Sequence, residues 1–289
     1  MFTEIKRCLC CDSEDLELTL DLNSQPLANS YLENANDDED IFPLGINFCK
    51  SCTHIQLTHA VDPDRLFRDY LYVSGTTKTL KEYFDWFVSF CGEYTSGKKV
   101  LDIACNDGTQ LDSFKKNGYE TYGIDPAENL YELSSKNHKV VCDYLNEDSM
   151  KKLDVKFDII TAQNVFAHNT YPQNFLRVCK DNLSDEGVVF IQTSQADMVK
   201  NNQFDTIYHE HMSYHSLKPL IKFFKKIEMK VIDFDLIEPQ GGSIRVYVGH
   251  KNKKANILKI KNQIEIERKF GLFKAKTYFQ FNEKIKNQK

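Results

Sequence analysis

A short apolar run, KVLDIACNDG (99–108), breaks into a polar turn, a helical segment that Gly118 ends follows (TQLDSFKKNG, 109–118), and a second apolar run, YETYGIDPA, finishes at Asp125. Few folds accept strand, loop, helix and strand in that order with an acid at the second strand's end. The crossover makes the two strands parallel, and such sheets bind their ligands at the carboxyl edge. KFDIITAQNVFAH (156–168) and GVVFIQTS (187–194) read as further buried strands, and MKVIDFDLI (229–237) and SIRVYVGH (243–250) as a pair joined by EPQGG (238–242), close enough to form a hairpin. Amphipathic helices alternate with the earlier strands. The pattern predicts an α/β doubly wound sheet with an antiparallel end.

The loop after the first strand is not G-x-G-x-x-G, so the dinucleotide fingerprint is absent. Asp102 at the strand end, then Asn106, Asp107 and Gly108, offer acidic and amide groups that suit an ammonium and would repel a pyrophosphate. Asp125 has the two acceptor oxygens that a ribose diol needs. This charge pattern fits S-adenosylmethionine better than a dinucleotide. Asn164 and His168 fall at or just past the carboxyl edge of the strand beginning near 157, where ligands bind in such sheets.

Nine cysteines in a chain whose start, Met-Phe-Thr-Glu-Ile-Lys-Arg, is no signal peptide point to reduced thiols. Cys8 and Cys11 stand at C-x-x-C spacing, Cys49 and Cys52 repeat it, and 37 residues separate the pairs. Two such knuckles in a segment with little core of its own predict a tetrahedral four-thiolate zinc site, structural because no coordination position stays open. Cys10 is read as a bystander, and Cys91, Cys105, Cys142 and Cys179 as buried small hydrophobes.

The densest cluster of proton-handling groups is TIYHEHMSYHS (206–216), with Tyr208, His209, Glu210, His211, Tyr214 and His215. A zinc-protease helix is excluded, because Ser213 stands where His-Glu-x-x-His needs its second histidine. As a strand the stretch would put His209 and His211 on one face; as a loop it would let all three charged groups converge. A histidine's ordinary pKa suits a general base, but the residues alone do not choose between His209 and His211.

In chain order, the two knuckles with SQPLANSYL between them, LFRDYLYVSG, VLDIACNDGTQL followed by GIDPA, and YHEHMSYHS resemble the zinc-containing, S-adenosylmethionine-dependent C-methyltransferases of nucleotide-linked deoxysugar biosynthesis. The likeness spans residues 8 to about 250. It implies a class I methyltransferase-like sheet behind a small zinc domain, with a nucleotide-linked 4-keto sugar as substrate. It also implies a methyl group added to the carbon beside the ketone. By motif position, His211 resembles the general base, Glu210 the group that orients it, Tyr208 a hydroxyl at the sugar and His168 the donor to the keto oxygen. Tyr72, with Tyr70, resembles positions that close over the cofactor. The family usually has glycine-serine-asparagine where this chain has Ala104-Cys105-Asn106. Members also continue into a third domain, of which this sequence, ending at Lys289, holds little. Three readings of this are open: a shortened gene, a separate subunit that supplies the surface as a partner, or an inactive protein. The alternatives are a methyltransferase for an oxygen or nitrogen acceptor, or a non-catalytic binding subunit.

The expected organisation is a zinc-binding domain over 1–68, a cofactor-binding methyltransferase domain over 69–250 and a basic helical tail over 251–289. The tail carries twelve Lys/Arg against three Asp/Glu, which leaves −14 for the rest of a chain whose net charge is −5. An acidic body argues against nucleic acid as partner. No run of about 18 apolar residues occurs, so no membrane span is expected and the location is read as cytoplasmic. The tail's apolar residues predict either a helix docked back on the sheet domain and frayed beyond about residue 275, or an exposed patch that recruits another subunit.

Overall fold

Five strands open the chain: β1 (Phe2–Glu4), β2 (Leu16–Pro26), β3 (Ile41–Cys49), β4 (Ile55–Leu57) and β5 (His59–Val61). The computed structural model describes residues 1–32, 34, 38–237 and 242–287. β2, β3 and β4 form an antiparallel sheet, and β1 pairs with β5. Helices α1 (Pro63–Phe67) and α2 (Lys78–Cys91) lead into the larger unit. Asp62 caps α1 through the Asp64 N–H with proline at its start, and Thr77 caps α2 through the Leu80 N–H.

The larger unit then alternates: β6 (Lys99–Ile103), α3 (Thr109–Lys116), β7 (Glu120–Asp125), α4 (Tyr131–Ser135), β8 (Lys139–Cys142), α5 (Glu147–Lys151), β9 (Phe157–Gln163), α6 (Pro172–Asn182), β10 (Leu183–Ser194), α7 (Met198–Asn201), β11 (Ser213–Tyr214), α8 (Leu217–Lys226), β12 (Met229–Ile237) and β13 (Ser243–His250). Seven of these strands form one sheet in the order β12-β13-β10-β9-β6-β7-β8, parallel except for β13, which runs antiparallel to both neighbours. That is the class I methyltransferase arrangement, a doubly wound sheet with an antiparallel end. Its central strands are apolar on both faces because helices cover both: Val100, Leu101, Ile159, Ile160, Val189 and Ile191 are all buried. Chain order reverses between β6 and β9, which opens a crevice at their carboxyl ends. The residues joining β12 to β13, where the EPQGG turn is expected, lie largely outside the described residues.

β11 leaves the large unit to pair with β4, which ties the histidine-rich segment to the N-terminal sheet. The tail also folds back. α9 (Ile257–Phe270) ends at Gly271, whose φ of +93° turns the chain into α10 (Ala275–Lys286). α10 does not fray beyond 275, and it docks on the N-terminal sheet instead of the large one. Tyr278 and Phe281 are buried there with Leu20, Ile46 and Phe48, enough apolar area to hold a short helix down. Among the described residues, no helix is long and apolar enough to cross a membrane.

Candidate functional site

A cleft of about 1120 Å³ occupies the carboxyl edge of β6, β7, β9 and β10, and is closed from above by Asn29 of the N-terminal unit and by the segment 63–80. Asn106, Asp125, Asn164, Tyr72, His168, Tyr208 and His211 all line it, so both expected halves of a site open into one space.

At the cofactor end, Asp125 is held by two backbone donors: Ala127 N–H to Oδ1 at 2.8 Å and Asn106 N–H to Oδ2 at 2.7 Å. Each oxygen keeps a second lone pair, so the carboxylate can still receive two ribose hydroxyls. Burial pushes its pKa up, against those backbone bonds. Asp143 and Tyr144 line the same end, and no Lys or Arg does among the described residues. This charge pattern fits the sulfonium and ammonium of S-adenosylmethionine.

Other expected cofactor ligands make hydrogen bonds within the chain. The Asn106 side chain accepts from the Ser74 N–H and donates to the Tyr72 carbonyl, while Asp107 accepts from the Gly75 N–H. Both therefore strap the 72–75 segment, with half-exposed Tyr72, over the loop. Asp102 does not line the cleft: it is buried within the sheet, takes the Thr161 hydroxyl at 2.7 Å, and is pushed up to about 7 by burial. Gly108 does not line it either; at φ +83° it starts α3 so close to α4 that a Cβ would lie 3.2 Å from the Ser134 Cα.

Residues 207–212 form a loop after a 3₁₀ turn that ends at Thr206, and the side chains of His209, Glu210 and His211 in it diverge. His211 Nδ1 donates to the Thr206 carbonyl at 3.0 Å, since that oxygen can only accept. The neutral ring then carries its lone pair on Nε2, which receives the Tyr208 hydroxyl at 2.9 Å. Burial lowers the His211 pKa to about 4, so the ring is neutral at pH 7. His168 lies with its ring centroid 5.3 Å from that of His211 and is stacked on Phe67; burial first, then His211, lowers it to about 3. His209 faces away, with Nε2 on the Phe42 carbonyl at 3.1 Å. Glu210 does not orient His211: its carboxylate receives Asn29 Nδ2 at 2.5 Å and the Tyr70 hydroxyl at 3.4 Å, which pins the N-terminal unit and the 63–80 segment together. Burial raises its pKa.

The thiolate site is built by two backbone copies. In each knuckle the first cysteine's carbonyl accepts from the residue four on, Asp12 or Thr53, and its N–H donates to the carbonyl five on, Ser13 or His54. Asp12 and Thr53 both take φ of +68°. The sulfurs of Cys8, Cys11, Cys49 and Cys52 all lie within 4.8 Å of one another. Tetrahedral zinc with bonds of about 2.3 Å sets sulfurs roughly 3.8 Å apart, so the set fits the metal. Gln56, fully buried, braces the first knuckle by accepting from the Leu9 N–H and donating to the Arg7 carbonyl. Cys10 stands outside the cluster with its thiol toward the Pro219 carbonyl. Cys91, Cys105 and Cys179 are buried as expected, whereas Cys142 is only half-buried at the end of β8.

Asn29, Tyr83, Gln163 and Gln192 also line the cleft and were not singled out from the sequence. Asn29 lies inside the quoted SQPLANSYL motif, which is the one signal that pointed near it.

Three family descriptions match the chain in order: one described as zinc binding over residues 8–67, one as a methyltransferase domain over 77–233, and one as a C-methyltransferase C-terminal domain over 238–289. The middle match takes in more than half of the chain, which therefore belongs to the methyltransferase family, in the branch with a zinc-binding domain before and a C-methyltransferase domain after. The C-methyltransferase NovU of Streptomyces niveus is 29% identical over 253 residues, 84% of this chain and 60% of that protein. The chain thus spans about three-fifths of that relative's length. The ubiquinone biosynthesis O-methyltransferase of Glaesserella parasuis serovar 5 (strain SH0165) is 33% identical over 108 residues, 34% of this chain and 45% of that one. A solved S-adenosylmethionine-dependent methyltransferase from Clostridium acetobutylicum ATCC 824 superposes with a TM-score of 0.48 at 13% identity, over 59% of this chain and 91% of that one.

Proposed function

For a chain of the methyltransferase family with this cleft, we propose S-adenosylmethionine-dependent C-methylation at the carbon beside the ketone of a nucleotide-linked 4-keto-deoxysugar. The observation that carries the reading is the Tyr208–His211 pair, which opens into the same cleft as Asp125. The Thr206 carbonyl fixes the His211 tautomer, so a lone pair on Nε2 stands ready inside the cleft. S-adenosylmethionine supplies an electrophilic sulfonium methyl.

His211 Nε2 takes the proton from the carbon next to the ketone, and the C–H electron pair passes into the enolate. That substrate carbon displaces Tyr208 from Nε2 and frees the hydroxyl for the sugar. His168, kept neutral by burial, donates an N–H to the keto oxygen as negative charge develops there. The enolate carbon then forms the new C–C bond as the methyl–sulfur bond breaks, leaving S-adenosylhomocysteine, and His211 returns its proton to solvent. Glu210 acts at a distance by holding Asn29 and Tyr70 over the site. NovU, named as a C-methyltransferase, supports the same acceptor atom.

Incubating the protein with nucleotide-linked 4-keto-deoxysugars in deuterated water tests this reading. Deuterium should enter the carbon beside the ketone and a methylated product should form, both lost in His211→Gln. Methyl transfer without exchange or an isotope effect at that C–H would move the acceptor to oxygen or nitrogen.

A further inference from the structure

Arg245, on β13, is completely buried, and among the described residues no carboxylate forms an ion pair with it. Its Nε and Nη1 have no hydrogen-bond partner, and its guanidinium carbon sits 4.9 to 5.5 Å from the ring centroids of Phe87, Tyr83 and Trp86. A cation buried without a counter-charge is costly, so where its charge is answered matters.

Nη2 donates to the Tyr83 hydroxyl and to Gln192 Oε1. The Tyr83 hydroxyl donates to Gln163 Oε1 at 2.5 Å, and Gln163 Nε2 donates to Gln110 Oε1. Gln110 Nε2 donates to Thr161 Oγ1 at 3.0 Å, and Thr161 Oγ1 donates to Asp102 Oδ1 at 2.7 Å. Every link points the same way. Arginine only donates and the ionised Asp102 only accepts, while hydroxyls and amides do both, so above the raised Asp102 pKa the two ends dictate the orientation of each group between them. The chain crosses β13, β10, β9 and β6 at the carboxyl edge of the three parallel strands, where antiparallel β13 begins, with Tyr83 from α2 and Gln110 from α3 as connectors. Gln192 carries a branch, Nε2 donating to Asn164 Oδ1 at 3.3 Å. Tyr83, Gln163, Gln192 and Asn164 line the cleft; Arg245 and Asp102 do not.

We infer that Arg245 and Asp102 are positioning residues for the cofactor site, the two ends of a one-way hydrogen-bond relay that fixes the amide orientation of Gln163, Gln192 and Asn164 on the cleft floor. The inference rests on S-adenosylmethionine being the ligand of that floor. Neither end touches the ligand, so their influence on binding has to travel through the relay.

The test is calorimetric binding of S-adenosylhomocysteine to wild type, Arg245→Met, Asp102→Asn and the double variant, with Tm measured on each. Each single change should weaken binding roughly tenfold, the scale of one charge-assisted hydrogen bond, and the double variant should lose little more than either. Residues this far apart otherwise give additive losses. Arg245→Lys, which keeps a buried donor, should recover part of the affinity. Should Arg245→Met not fold, Tyr83→Phe cuts the relay in its middle while keeping the ring, and enters the same cycle with Asp102→Asn. A lower Tm with unchanged affinity, or losses that multiply in the double variant, would overturn the relay. A wild-type protein that does not bind S-adenosylhomocysteine would overturn the cofactor reading and this inference with it, an outcome distinguishable from the other two.

Discussion

Ala104 takes φ of +60° where the chain leaves β6, and Asn106, two residues on, takes +54°. Asparagine tolerates that region, but alanine's Cβ crowds the following carbonyl at a cost of about 1–2 kcal/mol. The family usually has glycine at position 104. Glycine relieves the crowding but has about 0.4–1 kcal/mol more unfolded-state entropy to lose. The balance predicts that Ala104→Gly stabilises the protein by up to about 1 kcal/mol, read as a higher Tm, while Ala104→Val lowers it. A lower Tm for the glycine variant would show that the methyl group's contacts outweigh the strain. At this scale the sequence disclosed residue types better than residue duties. The paired cysteines were legible because a metal imposes its own spacing. So was the place of Asp125, because the strand before it is short and its end unambiguous. Asp102 and Glu210 were not: both carboxylates answer groups far away in sequence, Thr161 and Asn29, and local pattern carries no trace of such partners.

At the scale of elements, one carboxylate joins the tail to the sheet domain. α8 begins after Ser216, whose side chain does not cap it, and its first N–H, on Leu217, donates to both oxygens of Glu267 at 3.0 and 3.1 Å. Glu267 lies on α9, so one helix caps another, and its negative charge meets the positive end of the α8 dipole. Burial nevertheless dominates and raises the Glu267 pKa to about 7. The folded protein therefore keeps a proton on Glu267 between its ordinary carboxyl range and pH 7, where the unfolded chain has lost it. Stability contributed by this group falls as pH rises through that window. Glu267→Gln keeps an acceptor and does not titrate. Its Tm relative to wild type should rise between about pH 5 and 7 and level off above, and a gap flat with pH would mean Glu267 is ionised throughout. Glu267→Ala should cost about 1–3 kcal/mol relative to Glu267→Gln at any pH, by leaving the Leu217 N–H buried and unpaired. Six strands of the large sheet, all but β8, and the helical character of the tail were legible from apolar period and turn residues, whereas the N-terminal strands and the tail's docking place were not. An amphipathic face states that something covers it and is silent on which of two sheets does.

For the whole molecule, the cleft sits where three pieces meet: the zinc-bearing unit contributes Asn29, the segment 63–80 roofs it, and the large sheet supplies its floor. The described lining holds Asp125 and Asp143 but no Lys or Arg. Such a lining favours the cationic cofactor and, among the described residues, gives a diphosphate no cation to pair with. Phosphate recognition rests on charge-assisted bonds of about 1.5–3 kcal/mol each, so losing two of them weakens binding by roughly a hundredfold or more. This predicts ordinary affinity of the chain for S-adenosylhomocysteine and much weaker affinity for a nucleoside diphosphate or its 4-keto sugar, measured by calorimetry at low and at physiological salt. Low salt should help the diphosphate little, because the charged groups of the described lining, Asp125 and Asp143, are negative. A separate subunit that supplies cations to the cleft mouth would restore diphosphate affinity and leave cofactor affinity unchanged. Equal and tight binding of both ligands by this chain alone would show that neutral amides and tyrosine hydroxyls suffice to hold the diphosphate, and would remove the need for that partner.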